Sequence, residues 1–283
     1  MGIKLKLMIM LTRWYIKIVS IFSITKAAQI AFRIFSTPFR KARPFKPAIF
    51  DTAENISICV DGYMLYGYIW GKENNSKALV VHGFESRAYN FEKYVSALID
   101  LGYGVIAMDA KAHGKSEGKT IVLPEYIAMM KQLETLYGKF DVFLGHSFGG
   151  LAISLFNEEN PHPGSKLVLI APATETSTAI HMFCQFLKIN KSIELQIQKL
   201  IQEKAGVPVD FYSVRRAMQH IHSQTLWIHD LQDDITPYSD AKKVMDAHYP
   251  HVKFITTTGL GHRRIYRDQE VMRQIFEFIG PSK

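Results

Sequence analysis

The sequence of 283 residues contains only two cysteines, and charges interrupt its apolar stretches. Cys59 and Cys184 do not have the spacing of a metal-binding or redox motif. This favours two reduced cysteines in the core of a cytoplasmic protein. The alternative is that the two thiols pair in the folded chain. No uncharged window reaches the roughly 18 residues of a membrane span. The N-terminal apolar stretch also lacks a small-residue cleavage site, so we expect neither a spanning helix nor a secretory signal.

Acidic residues are absent from the first 50 positions, which hold ten Lys and Arg. Residues 51–283 therefore carry the remaining 24 Lys and Arg against all 26 Asp and Glu, a net charge of −2. The overall charge of +8 belongs to the N-terminal segment, and the body has no basic stripe or nucleic-acid-binding motif. We therefore expect no nucleic-acid partner.

The N-terminal segment, residues 1–50, is predicted to form one or two basic amphipathic helices and a proline-containing linker. At about 100° per residue, three basic side chains fall in one narrow sector: Lys6, Arg13 and Lys17. Two interpretations stay open. Residues 1–36 could contact an anionic membrane surface peripherally, with Trp14 and Tyr15 at the interface. Alternatively, their apolar side could pack on the domain and leave the charges solvated.

The body of the chain alternates short apolar runs with segments of helical length. It opens with a hairpin over residues 56–70, in which Asp61-Gly62 is the two-residue turn. Six further strands are expected at residues 78–82, 104–109, 140–145, 166–170, 224–229 and 251–256. Helices are expected at residues 90–101, 124–137, 149–159, 238–248 and 268–279. This pattern predicts an α/β fold with a mixed, mostly parallel eight-stranded sheet and helices on both faces.

One stretch breaks the alternation. More than fifty residues between Ile170 and Gln224 contain no strand-like run, and a structureless loop of that length is uncommon. We therefore predict a helical cap at residues 171–222, inserted into a core made of residues 51–170 and 223–283.

The strand-like run at 140–145 leads into Gly145-His-Ser147-Phe-Gly149, and a helix-like run follows. A G-x-S-x-G motif between a strand and a helix is the pattern of a nucleophile elbow, which exposes the serine hydroxyl at the end of a strand. It predicts Ser147 as a nucleophile and the Phe148 amide as an oxyanion donor. The alternative is an ordinary glycine-rich turn.

A nucleophilic serine needs a base and an orienting acid, which are expected just beyond other strand ends. His262 follows the last strand on a glycine-flanked loop and is the candidate base. Asp233 and Asp234 both follow the preceding strand, and Asp233 is favoured as the acid. Asp230 is interpreted as a turn residue.

A second oxyanion donor is expected after the strand at 78–82. Gly83 would let the chain bend so that the Phe84 amide points at the oxyanion. His82 is interpreted as a structural hydrogen-bonding residue at the strand end rather than as the base.

Taken together, these segments resemble the α/β-hydrolase family. The matching pieces are residues 82–84, 109–116, 145–149, 230–237 and 261–264, in the family order. The family usually has glycine where this chain has Asp230, with the acid three residues later, which supports Asp233. The chain also looks like a bacterial branch with an N-terminal basic helix.

The resemblance implies a serine hydrolase. It would cleave a carboxylic ester or a related acyl bond, such as a thioester or an amide. The reaction would use a Ser-His-Asp triad and pass through an acyl-enzyme intermediate. The expected partner is a small acyl substrate, and no cofactor is expected. The alternative is a non-catalytic ligand-binding or scaffold protein on the same fold.

Two further sets of residues are candidate binding sites. Phe183 and Phe186 in the cap are predicted either to line a hydrophobic acyl pocket or to form the cap's own core. Three histidines come close in sequence, but no carboxylate or thiol pattern completes a metal site around them, so no metal is expected: His220, His222 and His229.

Overall fold

The computed structural model describes residues 3–39 and 45–282. Eight strands form one sheet: β1 (Glu54–Val60), β2 (Tyr63–Trp70), β3 (Lys77–Val81), β4 (Gly104–Met108), β5 (Val142–His146), β6 (Lys166–Ile170), β7 (Gln224–Asp230) and β8 (Val252–Thr257). The strand order is β1-β2-β4-β3-β5-β6-β7-β8. Strand β2 runs antiparallel to its neighbours β1 and β4, and the pairings from β4 to β8 are parallel. The predicted fold class is confirmed.

The α-helices are α1 (Ile3–Phe22), α2 (Ile24–Phe35), α3 (Glu92–Asp100), α4 (Leu123–Tyr137), α5 (Phe148–Glu159), α6 (Thr176–Leu187), α7 (Lys191–Ala205), α8 (Val214–Ala217), α9 (Tyr238–Met245), α10 (Gly261–Arg264) and α11 (Gln269–Ile279). The short helices α8 and α10 were not expected from the sequence. Helix α9 ends at Met245, earlier than the predicted residue 248, where His248 has a φ of 50°. Strand β5 begins at Val142, two residues later than predicted.

The parallel strands are buried because helices cover the sheet. Every residue of β4 and β5 is buried, as expected for continuous apolar runs in a parallel sheet. The hairpin places Val60 opposite Tyr63, and its turn residues Asp61 and Gly62 both have positive φ, the conformation that favours Asp-Gly there. The carboxyl ends of β5, β7 and β8 lead into the loops that carry the candidate site.

The chain divides into two compact units. The helical unit comprises the described residues up to Thr37 together with Glu175–Ser213, and the sheet unit comprises the other described residues. In the helical unit, α2 packs against α7, and α1 packs against α2 and α6. The N-terminal helices and the two long cap helices therefore share one core, a grouping that the sequence pattern did not predict.

The core of the helical unit explains part of the N-terminal sequence. The small side chains Ala27, Ala28 and Ala31 of α2 are fully buried, which lets the neighbouring helices approach closely. Ile9 and Ile16 of α1 are buried in the same cluster. Among the residues that the structure describes, no helix is both long and apolar enough to cross a bilayer.

Candidate active site

Ser147 lies between the end of β5 and the start of α5, with φ 56° and ψ −120°. A non-glycine residue in this region of backbone space is strained, and such strain concentrates at functional sites. The turn is possible because glycines flank it. A Cβ built on Gly149 would lie 2.5 Å from the Val81 carbonyl oxygen, and one on Gly145 would lie 2.6 Å from a methyl of Ile153. Close backbone approach thus explains both glycines of the motif.

Ser147, His262 and Asp233 form a continuous hydrogen-bonded chain. The Ser147 Oγ lies 2.9 Å from His262 Nε2. The other ring nitrogen, Nδ1, lies 2.8 Å from Asp233 Oδ2. All three side chains are buried, with exposed fractions of 6–8%. The structure brings together these three residues from three separate loops.

The Asp233 carboxylate is held rigidly by its own turn. Oδ1 accepts hydrogen bonds from the amides of Ile235 and Thr236, and Oδ2 accepts from the Thr236 hydroxyl at 2.9 Å. Burial alone would raise the pKa of Asp233, but the His262 side chain and these amides outweigh burial and lower it. The carboxylate is therefore charged and aimed at His262 before any substrate binds.

Two neighbouring aspartates have other surroundings. Asp234 is exposed to solvent. Asp230 is fully buried and accepts hydrogen bonds from the amides of Gln232 and Leu260 and from the Thr257 hydroxyl. Asp230 thus ties the turn after β7 to the loop that carries His262. This bracing role goes beyond the turn residue expected from the sequence.

Sequence reasoning missed His146. Its Nε2 lies 3.0 Å from the carbonyl oxygen of His262, to which it donates a hydrogen bond. Its ring packs against the His262 ring at a centroid distance of 4.6 Å and against Tyr266 at 4.5 Å. Burial lowers the pKa of His146 to about 3, so the ring is neutral and can hold the His262 backbone. Its position beside Ser147 in the motif was the available signal.

The loop after β3 comes close to the nucleophile. A Cβ on Gly83 would lie 3.0 Å from the Ser147 Cβ, so the backbone passes directly beside the serine. The Phe84 and Phe148 rings meet edge to face at 6.2 Å, and the Phe148 amide opens α5, where helix N–H groups lack helical partners. The predicted oxyanion residues therefore both lie beside Ser147, Phe84 on the loop after β3 and Phe148 at the start of α5.

Buried neutral histidines support this loop. His82 accepts a hydrogen bond from the Ala110 amide at Nε2 and donates one from Nδ1 to the Gly83 carbonyl. His113 accepts from the Glu85 amide at Nε2. Burial lowers the pKa of His82 to about 4 and that of His113 to about 3. His82 thus makes the structural hydrogen bonds that the sequence suggested.

The predicted pocket residues lie in the helical unit. The Phe183 ring packs edge to face against Phe35 of α2 at 5.3 Å. Phe186 is 54% exposed, and the Arg13 guanidinium lies over its ring. These contacts favour the core alternative for Phe183, whereas Phe186 lies outside the core of the helical unit, and pocket lining stays a prediction for both. In the part of the chain described here, no three metal-ligating side chains converge.

Comparisons with known proteins bear on the fold and the family of this chain. A family model described as "Serine aminopeptidase, S33" matches residues 72–210. An esterase of Pyrococcus furiosus superposes with a TM-score of 0.65 over 86% of this chain and 98% of its own, at 19% identity. The chain belongs to the α/β-hydrolase family. The resemblance to the α/β-hydrolase family is confirmed, and the bacterial branch stays a prediction.

Sequence relatives of this α/β hydrolase include enzymes named as lipases. Human monoglyceride lipase is 30% identical over 122 residues, which is 40% of this chain and 40% of the relative. A monoacylglycerol lipase of Mycolicibacterium smegmatis is 25% identical over 131 residues, 43% of this chain and 47% of its own length. The chain thus spans less than half the length of these relatives. Structures at such low identity, the Pyrococcus esterase included, demonstrate the shared fold alone.

Proposed function

We propose that this chain is a serine hydrolase that cleaves carboxylic esters, with Ser147 as nucleophile, His262 as base and Asp233 as acid. The observation that carries the proposal is the chain of hydrogen bonds from Ser147 Oγ through His262 to Asp233, with Ser147 at a strained strand-to-helix turn. A serine hydroxyl becomes a useful nucleophile only when a base is within hydrogen-bonding distance and the base is itself oriented.

In the first half of the reaction, Ser147 Oγ attacks the carbonyl carbon of the ester while His262 Nε2 takes its proton. The negative charge moves to the carbonyl oxygen, and the amides of Phe84 and Phe148 stabilise it by hydrogen bonds. When the tetrahedral intermediate collapses, the ester C–O bond breaks and His262 returns the proton to the departing alcohol. The product at this stage is an acyl group on Ser147.

In the second half, water attacks the acyl carbon and gives a proton to His262. When the second tetrahedral intermediate collapses, the bond between Ser147 Oγ and the acyl carbon breaks, His262 returns the proton to Ser147 Oγ, and the carboxylic acid is released. Asp233 stays ionised throughout because its pKa is lowered. It stabilises the imidazolium that forms twice in each cycle and keeps the Nδ1–H tautomer of His262.

Esters are favoured over amides as substrates. The sequence relatives named as monoglyceride and monoacylglycerol lipases support a carboxylic ester, such as an ester of glycerol. The family model is described by an aminopeptidase, which would favour an aminoacyl amide instead. A comparison of p-nitrophenyl esters of graded acyl length with aminoacyl p-nitroanilides separates these two substrate classes.

The decisive experiment combines that substrate panel with labelling by a fluorophosphonate probe. The native chain is expected to hydrolyse the esters and to be labelled at Ser147. Ser147→Ala should lose labelling and at least about a thousandfold of kcat. The matched control is Ser154→Ala, since Ser154 is a buried serine of α5, the helix that follows Ser147, and its hydroxyl donates to the nearby Gly150 carbonyl.

Three outcomes are informative. Ester hydrolysis lost in Ser147→Ala and kept in Ser154→Ala supports the proposal. Hydrolysis of the anilides but not of the esters would show that the substrate is an amide and not an ester. A folded native chain that neither reacts with the probe nor turns over any substrate would favour the non-catalytic binding protein and overturn the proposal.

A further inference from the structure

Helix α1 presents an apolar surface to solvent, which is unusual for a helix of a globular protein. Its outer face consists of nine side chains that are 46–84% exposed: Leu7, Met8, Met10, Leu11, Trp14, Tyr15, Ile18, Ile21 and Phe22. Exposed apolar residues scattered singly are ordinary, but a contiguous patch of large ones marks an interaction surface.

The geometry of the helix groups these residues on one side. At about 100° per residue, the outer face fills an arc of about 160°. Ile9 and Ile16 point in the opposite direction and are buried in the core of the helical unit, with exposed fractions of 8% and 1%. The inner side of α1 is thus already used for packing, and the outer face requires a different explanation.

Basic side chains border the outer face. Lys6 and Lys17 lie along one edge, Lys4 lies at the N-terminal end, and all three are exposed. Arg13 lies on the same edge but donates a hydrogen bond to the Phe186 carbonyl of α6, which fastens α1 to the cap helix. No acidic residue occurs in the first 50 positions. The surface therefore combines apolar area with positive charge, and α1 itself contributes no acidic residue.

We propose that the outer face of α1 docks this protein on the surface of an anionic lipid bilayer. The helix lies parallel to the membrane plane, its apolar side chains enter the boundary between headgroups and acyl chains, and its lysines contact lipid phosphates. Trp14 and Tyr15 have the amphipathic rings that are enriched at this depth. The positive charge of α1 favours an anionic bilayer over a second copy of this chain as the partner. Two basic helices repel one another, whereas an anionic bilayer attracts each of them.

The sequence predicted membrane contact through residues 1–36, and the proposal restricts this contact to the outer face of α1. In α2, the side formed by Ala27, Ala28 and Ala31 is fully buried inside the helical unit. The packing interpretation of the N-terminal sequence therefore applies to α2, because the apolar side of this helix faces protein. The two interpretations of the N-terminal sequence thus apply to different surfaces.

The experiment measures binding of the full chain to vesicles by co-sedimentation and by tryptophan fluorescence. One set of vesicles is phosphatidylcholine alone, and the other contains equal parts phosphatidylcholine and phosphatidylglycerol. Trp70 and Trp227 are buried, with exposed fractions of 6% and 0%, so a blue shift on adding vesicles reports on Trp14. We expect binding and the shift with the anionic vesicles, both weakened by salt.

The test variant carries Leu7→Ser, Leu11→Ser and Ile18→Ser, which keeps Trp14 as the reporter. The partition coefficient should fall on the order of a hundredfold, because three large apolar side chains no longer enter the membrane. The matched control removes three exposed leucines that lie elsewhere, at Leu136, Leu195 and Leu231, by the same change to serine. The control is expected to bind as the native chain does.

Several outcomes would overturn the proposal. These are no vesicle binding, equal binding to both lipid compositions, or equal loss in the control variant. Self-association of the native chain in sedimentation, abolished in the test variant, would assign the face to a second copy instead. Hydrolysis of soluble esters by the test variant would show that this variant is folded. Vesicle binding is also measured for Ser147→Ala, so that the docking proposal is tested whether or not the chain is a hydrolase.

Discussion

At the scale of single residues, Asp233 and Asp234 differ in surroundings and not in chemistry. The Asp233 carboxylate accepts from two amides, a hydroxyl and His262, whereas the side chain of Asp234 is exposed. Because the two residues are adjacent, the sequence kept both as candidates for the acid and favoured Asp233, which the spacing of the α/β-hydrolase family supports. Their opposite environments follow from the turn after β7, which directs one side chain inward and the other outward.

This difference predicts unequal effects of the same substitution. Asp233→Asn should lower kcat for a p-nitrophenyl ester by about a thousandfold to ten-thousandfold, because the amide no longer stabilises the imidazolium or its tautomer. Asp234→Asn should change kcat less than about twofold. Both variants are measured at saturating ester beside the native chain. Similar losses in the two variants would contradict the assignment of Asp233.

At the scale of elements, the turn from β5 to α5 depends on close backbone contacts. The Ser147 amide donates to the Ile170 carbonyl, and the Ala173 amide donates to the Ser147 carbonyl, so the turn is tied to the end of β6. Gly149 presses against the end of β3, where a Cβ would meet the carbonyl oxygens of Val81 and His82 at 2.5 Å and 2.7 Å. The contacts are with backbone atoms, which cannot rotate out of the way.

Gly149→Ala is therefore expected to destabilise the chain by about 3 kcal/mol, since β3 and α5 must separate to admit the methyl group. The control is Gly164→Ala, where φ is 86° and nothing lies within 4 Å of the added Cβ. There the cost is the positive φ alone, about 1–2 kcal/mol. Urea denaturation measures both free energies of unfolding. A smaller loss at Gly149 than at Gly164 would show that the turn relaxes freely.

At the scale of the whole molecule, the site depends on buried histidines that remain neutral. Burial lowers the pKa to about 4 for His82 and to about 3 for His113 and His146. In the unfolded chain, the same side chains have a pKa of about 6.5. Between these values the unfolded chain binds protons that the folded chain does not.

The free energy of unfolding is therefore expected to keep its full value above about pH 6.5 and to fall as the pH drops towards about 4. Each histidine contributes up to about 1.4 kcal/mol per pH unit, or about 4 kcal/mol per unit for the three together. Asp109, whose pKa burial raises, offsets part of this loss because its folded form binds a proton more readily. Urea denaturation at about pH 7.5 and about pH 5 tests the prediction. An unchanged free energy of unfolding would mean that these histidines are protonated in the folded state.

Much of the architecture was predictable because it depends on local sequence. Continuous apolar runs alternating with helical segments indicate a covered parallel sheet, and the Asp61-Gly62 pair matches the positive φ of its turn. Gly145-x-Ser147-x-Gly149 identifies the elbow because the motif lies within five adjacent residues, whereas the backbone contact that requires Gly149 comes from the distant strand β3. Strand ends were displaced by one or two residues where local pairing, not composition, sets the boundary.

Contacts between distant residues could not be predicted in this way. The hydrogen bond from His146 to the His262 carbonyl joins positions 116 apart, and the one from Arg13 to Phe186 joins positions 173 apart. The sequence by itself determined the fold class, the nucleophile candidate and the basic N-terminal segment, all of which follow from patterns within short windows. Only the tertiary structure decided which aspartate faces His262 and that α1 packs on the cap helices with an apolar side outward. Both depend on which surfaces meet when the chain folds.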